Sequence, residues 1–146
     1  MENFYARAVF FVNDAESALT YYTQTLGFAL DWRFDYEGRA WVFEVSLHGF
    51  CLILNQAHAE YKDRAGHGRA FIGLEPDQQI ALREHMAAHD IQAKRTDWGR
   101  PTLVILDPDG NELYFWVNDH EAWVAEWPQL HTQTTRASIH PSPAPR

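Results

Sequence analysis

Trp98-Gly99-Arg100-Pro101-Thr102-Leu103-Val104-Ile105-Leu106-Asp107-Pro108-Asp109-Gly110-Asn111-Glu112-Leu113-Tyr114-Phe115-Trp116 places two apolar runs on either side of a tight Asp-Pro-Asp-Gly turn. That pattern predicts a β-hairpin. A looser copy lies earlier in the chain: Gly38-Arg39-Ala40-Trp41-Val42-Phe43-Glu44-Val45, then His48-Gly49, then Phe50-Cys51-Leu52-Ile53-Leu54. A hairpin used twice points to a duplicated fold whose halves share one cavity.

Outward from these hairpins the same order of elements appears twice. Arg7 to Val12 is rich in β-formers and predicts a strand, after which Asn13 or Asp14 caps a helix. Ala15, Ala18, Leu19, Tyr22 and Leu26 recur at helical spacing, and Gly27 ends the helix in the left-handed region. Strands follow over 28–34, 40–45 and 50–54, which gives βαβββ. A charged, glycine-containing linker over 56–68 separates the copies. The order then restarts with a strand over 69–74, a helix opened by Pro76-Asp77 and carrying Ile80, Leu82 and Met86, a weaker strand over 91–95, and the final hairpin. Arg7-Ala8 answers Arg69-Ala70, and Leu26-Gly27-Phe28 answers His89-Asp90-Ile91, with Asp90 taking the left-handed position of glycine. Few identities survive, so the common order is the stronger sign of duplication. The expected fold class is α+β, with two βαβββ modules forming curved mixed sheets. Residues 1–130 form a single domain, with module one about 5–55, module two about 68–117 and a short helix about 119–128. Residues 131–146, rich in Ser, Thr and Pro, form a disordered tail.

Composition narrows the function. The chain has 146 residues, 46% hydrophobic and 14% aromatic, enough for a packed core in one domain. Twelve basic against twenty acidic side chains give a net charge of −8, which argues against nucleic acid, because phosphates demand basic clusters. Acidic surface favours solubility and attracts cations. The single cysteine, Cys51, allows no intrachain disulfide and reads as a small buried hydrophobe in a reducing cytoplasm. The start at Glu2 and Asn3 lacks the cationic and apolar regions of a secretory leader, and no apolar run approaches membrane-spanning length.

These two modules resemble the vicinal oxygen chelate superfamily of glyoxalase I, extradiol dioxygenases, fosfomycin-resistance thiol transferases and bleomycin-resistance proteins. The resemblance covers residues 5 to 117. It rests on Val12-Asn13-Asp14 leading to Tyr21-Tyr22 and Leu26-Gly27-Phe28, and on the turn Leu106-Asp107-Pro108-Asp109-Gly110-Asn111. In metal-dependent members, His, Gln or Glu ligands project from the first and last strands of each module and hold a divalent ion with open positions. Alignment on Val12 and Asp14 puts those positions at Arg7, Leu52, Arg69 and Tyr114. None is a usual ligand, and arginine repels a cation, so no metal and no other cofactor is expected. His67 stands alone in the linker, and His85 with His89 has i, i+4 spacing but no third ligand in view.

Within that superfamily the resemblance points to the bleomycin-resistance proteins, cofactor-free dimers that sequester a cationic glycopeptide without altering it. Asp31-Trp32 and Phe34, and Trp98-Gly99-Arg100, carry it. It implies a bacterial, cytoplasmic homodimer that binds a cationic, aromatic small molecule in grooves at the subunit interface and confers antibiotic resistance. Trp32 and Phe34 share one strand face by alternation, as do Trp41 and Phe43, and flat aromatic walls suit planar heterocycles. The ligand-binding set is therefore Trp32, Phe34, Trp41, Phe43, Trp98, Arg7, Arg69 and Tyr114, with no catalytic residue. Asp31, Asp35, Glu37 and Asp97 supply the acidic rim. Two readings of Arg7 and Arg69 stay open: they contact an acidic ligand group, or they pair with carboxylates such as Glu44 and Glu112. Two other functions stay open as well. One is a metal-dependent lyase, isomerase or thiol transferase using His67 with Glu44 or Glu112. The other is a metal-free enzyme with Tyr114 as acid or base.

Overall fold

A computed structural model describes residues 5–116. The expected helix about 119–128 and the tail 131–146 lie outside the described residues. The chain divides into two compact units, unit 1 of Met1–Ala70 with Asp107–Asn111 and unit 2 of Phe71–Leu106 with Glu112–Arg146. Among the described residues no helix is long and apolar enough to cross a membrane.

The first four-stranded sheet has the order β1 (Ala8–Val12), β4 (Phe50–Gln56), β3 (Arg39–Leu47), β2 (Ala29–Tyr36). β1 runs parallel to β4, and the other neighbours are antiparallel, so the sheet is mixed. Both hairpins use two-residue turns with positive φ at each centre: Glu37-Gly38 (52° and 78°) and His48-Gly49 (51° and 88°). Those turns match the right-handed twist of the flanking strands and fix the register. Helix α1 (Ala15–Thr20) starts at Asp14, whose carboxylate accepts from Glu16 N and Ser17 Oγ. It runs on as a wider π turn over Tyr21–Thr25 and ends with Gly27 at φ 78°. All five residues of the predicted helical stripe are buried, against core side chains that include Phe10, Phe43, Leu52 and Leu54.

The second sheet has the order β5 (Arg69–Ile72), β8 (Glu112–Trp116), β7 (Pro101–Leu106), β6 (Lys94–Asp97). The mixed α+β architecture of two βαβββ repeats is thus as the sequence implies. Helix α2 (Pro76–Ala88) opens at Pro76-Asp77 as expected, with Gln78 Oε1 accepting from Glu75 N at 2.9 Å in a capping box. Asp90 takes φ 53°, the left-handed role that Gly27 plays in the first repeat. The strand expected over 91–95 lies over 94–97 instead. Ile91 still closes the helix, its N–H bonding Met86 O, and both Ile91 and Ala93 go into the core. A short 3-10 helix, Ala59–Arg64, occupies part of the stretch read as linker.

The Asp-Pro-Asp-Gly-Asn turn is a hydrogen-bonding hub of unit 1. Asp107 Oδ1 accepts from the backbone N–H of Asp109, Gly110 and Asn111, and Oδ2 accepts from Tyr22 Oη and Asn111 Nδ2, all at 2.9 Å. Asn111 Nδ2 also donates to Phe11 O, and its Oδ1 accepts from Gly68 N at 2.7 Å. Gly66, at φ 83°, is required here, because a Cβ would run into Asp109 O.

This hub shapes the alkaline limit of stability. Burial, and then the nearby Asp107 charge, push Tyr21 up to about 12; the same causes and the hydrogen bond to Asp107 hold Tyr22 well above its ordinary value. Folding therefore favours the neutral phenols. Their contribution is complete below pH 10, near which the unfolded tyrosines ionise, and is lost as pH rises from there through the folded values. Phenolate absorbance is expected to show Tyr21 ionising near pH 12 and Tyr22 only as the fold is lost. Ionisation of both near pH 10 with the fold intact would contradict the packing described.

Candidate functional site

Alternation along the strands sorts the predicted residues by face. In the first sheet, Cα pairs Trp32–Glu44, Glu44–Ile53 and Ser46–Cys51 share one face. Arg7, just before β1, joins it through its Nε, 3.4 Å from Glu44 Oε1. Trp32 Nε1 donates to the same oxygen at 3.2 Å, and Ser46 Oγ donates to Asp31 Oδ1 at 2.9 Å. Arg7 thus follows the structural reading and pairs with Glu44. Arg69 is exposed at the start of β5.

Three expectations need correction. Leu52 does not share the face of Arg7. It pairs with Val45, turns into the core beside the helix and is fully buried, while its neighbours Cys51 and Ile53 occupy the Arg7 face. A one-residue slip moves a side chain to the opposite face of a sheet, and the alignment on Val12 and Asp14 carried that slip. Phe43 is likewise core, 0% exposed, and cannot line a groove. Trp41 does not alternate with it, because the β2–β3 register breaks between Phe34 and Asp35. That irregularity leaves Trp41 without a pairing partner, half-buried against Tyr36 at a ring separation of 5.3 Å. Trp32 and Phe34 remain exposed at 43% and 56%.

In unit 2 the side chains of Tyr114 and Trp116 share one face of β8, and an aromatic cluster grows from it. Trp98 lies on Tyr114 with ring centroids 4.5 Å apart, Phe71 stacks on Trp98 at 5.9 Å, and Phe71 meets the edge of Trp116 at 4.5 Å. The Arg100 guanidinium caps the Trp116 ring at 4.3 Å. Tyr114 itself is buried and donates its hydroxyl to Glu112 Oε1 at 2.9 Å. Trp98 and Phe71 leave 40% and 41% of their surface open. Sequence reading found Trp98 and Tyr114 but missed Phe71, Trp116 and Arg100. The available signal was alternation, since Trp116 follows Tyr114 by two positions and Phe71 follows Arg69 by two.

Among the described residues, one trio of potential metal ligands converges: Asp31, Glu44 and Cys51, with ligand atoms within 4.8 Å of one another. The donor set does not suit a divalent ion. Glu44 already accepts from a guanidinium and an indole, Asp31 accepts from Ser46, and the adjacent Arg7 charge opposes a second cation. Burial pushes the Cys51 thiol up, with Arg7 opposing and Glu44 and Asp31 reinforcing, so the thiolate a metal needs is disfavoured. His67 is exposed and joins no such trio among the described residues. His85 and His89 stack on each other at 4.1 Å, with His89 Nδ1 3.1 Å from His85 O.

Residues 5–115 match the family model described as Glyoxalase/Bleomycin resistance protein/Dioxygenase superfamily. No curated protein matches the chain. Similar solved structures include the bleomycin-binding protein from bleomycin-producing Streptomyces verticillus complexed with copper(II)-bleomycin, at TM-score 0.55 and 22% identity, covering 81% of this chain and 99% of that one. A glyoxalase/bleomycin resistance protein from Catenulispora acidiphila is similar at TM-score 0.56 and 23% identity, covering 78% and 97%. A lactoylglutathione lyase from Agrobacterium tumefaciens is similar at 0.52 and 16%, covering 79% and 93%. At these identities the likeness is one of fold, shared by binding proteins and enzymes alike.

Proposed function

The chain belongs to the glyoxalase/bleomycin resistance protein/dioxygenase superfamily, and on that premise we propose that it is a non-catalytic protein that binds a planar small molecule and sequesters it. The observation that carries this reading is the open aromatic stack of Phe71 and Trp98 on Tyr114. Stacked rings left partly in water offer a ready face to a planar heterocycle at little conformational cost. Antibiotics of the bleomycin type are the first candidates, in line with the similar structure that holds copper(II)-bleomycin. A homodimer fits the same reading, because Trp32, Phe34 and Tyr36 leave the edge strand β2 with exposed aromatic surface that a second copy would cover. The protein acts in the cytoplasm and needs no cofactor.

Titration of its tryptophan fluorescence with bleomycin, copper-free and copper-loaded, tests the proposal. Saturable quenching is expected; no change in emission with either form would remove bleomycin-type compounds as ligands. The metalloenzyme alternative is supported by fold likeness to the lyase alone, whereas the Asp31, Glu44 and Cys51 trio suits a metal poorly. Elemental analysis of protein prepared with added zinc, nickel and manganese is expected to find substoichiometric metal. One tightly held ion per chain, with turnover of a glutathione-type substrate, would overturn the binding reading.

A further inference from the structure

Asp109-Gly110 is the only place in the chain where Asp or Asn precedes Gly. Glycine offers the least hindered amide nitrogen, so an aspartyl side chain before it is where a peptide most readily cyclises on itself. The turn cannot dispense with this glycine. Gly110 has φ 103°, and a Cβ on it would sit 3.3 Å from Gly66 O. The fold therefore carries a labile bond inside its hydrogen-bonding hub, and the hub engages both atoms that would react. Asp109 Oδ1 accepts from Asn13 Nδ2 at 2.7 Å and from Asn13 N at 3.2 Å, across 96 residues of chain. Gly110 N donates to Asp107 Oδ1 at 2.9 Å and to Asp107 O at 3.0 Å.

We infer that Asp109-Gly110 is the chain's site of isoaspartate formation, and that Asn13 is the latch that holds it closed in the fold. The reaction joins Gly110 N to Asp109 Cγ. One carboxyl oxygen leaves as water, with the acid proton and the amide proton, and a five-membered succinimide remains. Water then adds to either ring carbonyl. Opening at one restores aspartate; opening at the other leaves isoaspartate, with the backbone routed through Cβ and Cγ. Ring closure requires the Asp109 carboxyl to turn onto Gly110 N, yet Asn13 holds the first and Asp107 the second. Both sets of bonds must break together. The product does not fit the closed turn, because the extra backbone atom displaces the N–H groups of Gly110 and Asn111 from Asp107 Oδ1. Modification therefore starts from the opened turn and prevents its closing.

Warm incubation of the full chain at neutral pH tests this, with isoaspartate counted by isoaspartyl methyltransferase labelling and located by fragment mass spectrometry. The folded parent is expected to react about a hundredfold more slowly than the same chain unfolded in guanidinium chloride, since closure in the fold breaks bonds to both reacting groups. Asn13→Ala removes the 2.7 Å bond and is expected to react about tenfold faster than the folded parent. Asn13 is exposed and its backbone N–H remains, so the variant keeps its fold, which circular dichroism verifies before incubation. A folded parent that isomerises as fast as the unfolded chain would overturn the inference, whether or not the variant folds. A folded Asn13→Ala that reacts no faster than the parent would overturn the latch. Isoaspartate forming mainly at another position in the unfolded chain would overturn the site. The isomerised chain is expected to melt below the parent, and equal melting temperatures would overturn the exclusion of isoaspartate from the turn.

Discussion

Asp107→Ala is expected to lower the unfolding free energy by roughly 3–5 kcal/mol, a large effect for one side chain. The buried carboxylate terminates three backbone N–H groups of its own turn, the Tyr22 hydroxyl and the Asn111 amide. Alanine leaves the Tyr22 hydroxyl and the backbone N–H of Asn111 without this acceptor in a buried setting, which costs more than the hydrogen bonds contribute when made. The side-chain bonds span 85 residues from Tyr22, and through Asn111 Nδ2 reach Phe11 on β1, so the loss loosens helix and sheet together. For a chain of this size the melting temperature should fall by roughly 10 °C. Tyr22→Phe removes one donor and its need together, and should cost only about 1 kcal/mol. Urea titrations of both variants and their combination would measure the coupling. A melting temperature for Asp107→Ala within about 2 °C of the parent would contradict the assigned role.

The second large effect is on ligand binding. Trp98→Ala should weaken any planar ligand about 10- to 30-fold, the loss of roughly 1.4–2 kcal/mol expected when an aromatic anchor leaves a stacking site. Trp98 is 40% exposed and sits beside a turn, so the melting temperature should move far less than with Asp107→Ala. Trp98→Phe retains a ring against Tyr114 and should recover part of the affinity. Calorimetry is the suitable readout, since the mutation removes one of six tryptophans that report by fluorescence. Unchanged affinity in Trp98→Ala would move the ligand away from this face.

The parts of the fold legible in the sequence were those with local causes. Turn chemistry set His48-Gly49 and Asp90 in the left-handed region, and five apolar positions at helical spacing placed the first helix. What sequence could not show was parity within strands. Leu52 and Cys51 are both compatible with a buried β-strand, and only the register with Val45 and Ser46 decides which faces the core. A single irregularity beside Trp41 separated it from Phe43, and no local residue announced it. The position of β6 was hidden for a related reason. That strand lies nearer the final hairpin than the apolar residues Ile91 and Ala93 suggested, because both go into the core ahead of it.

A scaffold that sequesters its ligand releases it unchanged, and mass spectrometry of the complex measures this. The protein is incubated with a bound planar ligand, observed intact under native conditions, then denatured to release what it held. The expected result is a complex whose released ligand has its starting mass, at a yield that does not fall with incubation time. A released compound of altered mass, accumulating beyond one equivalent per chain, would contradict it.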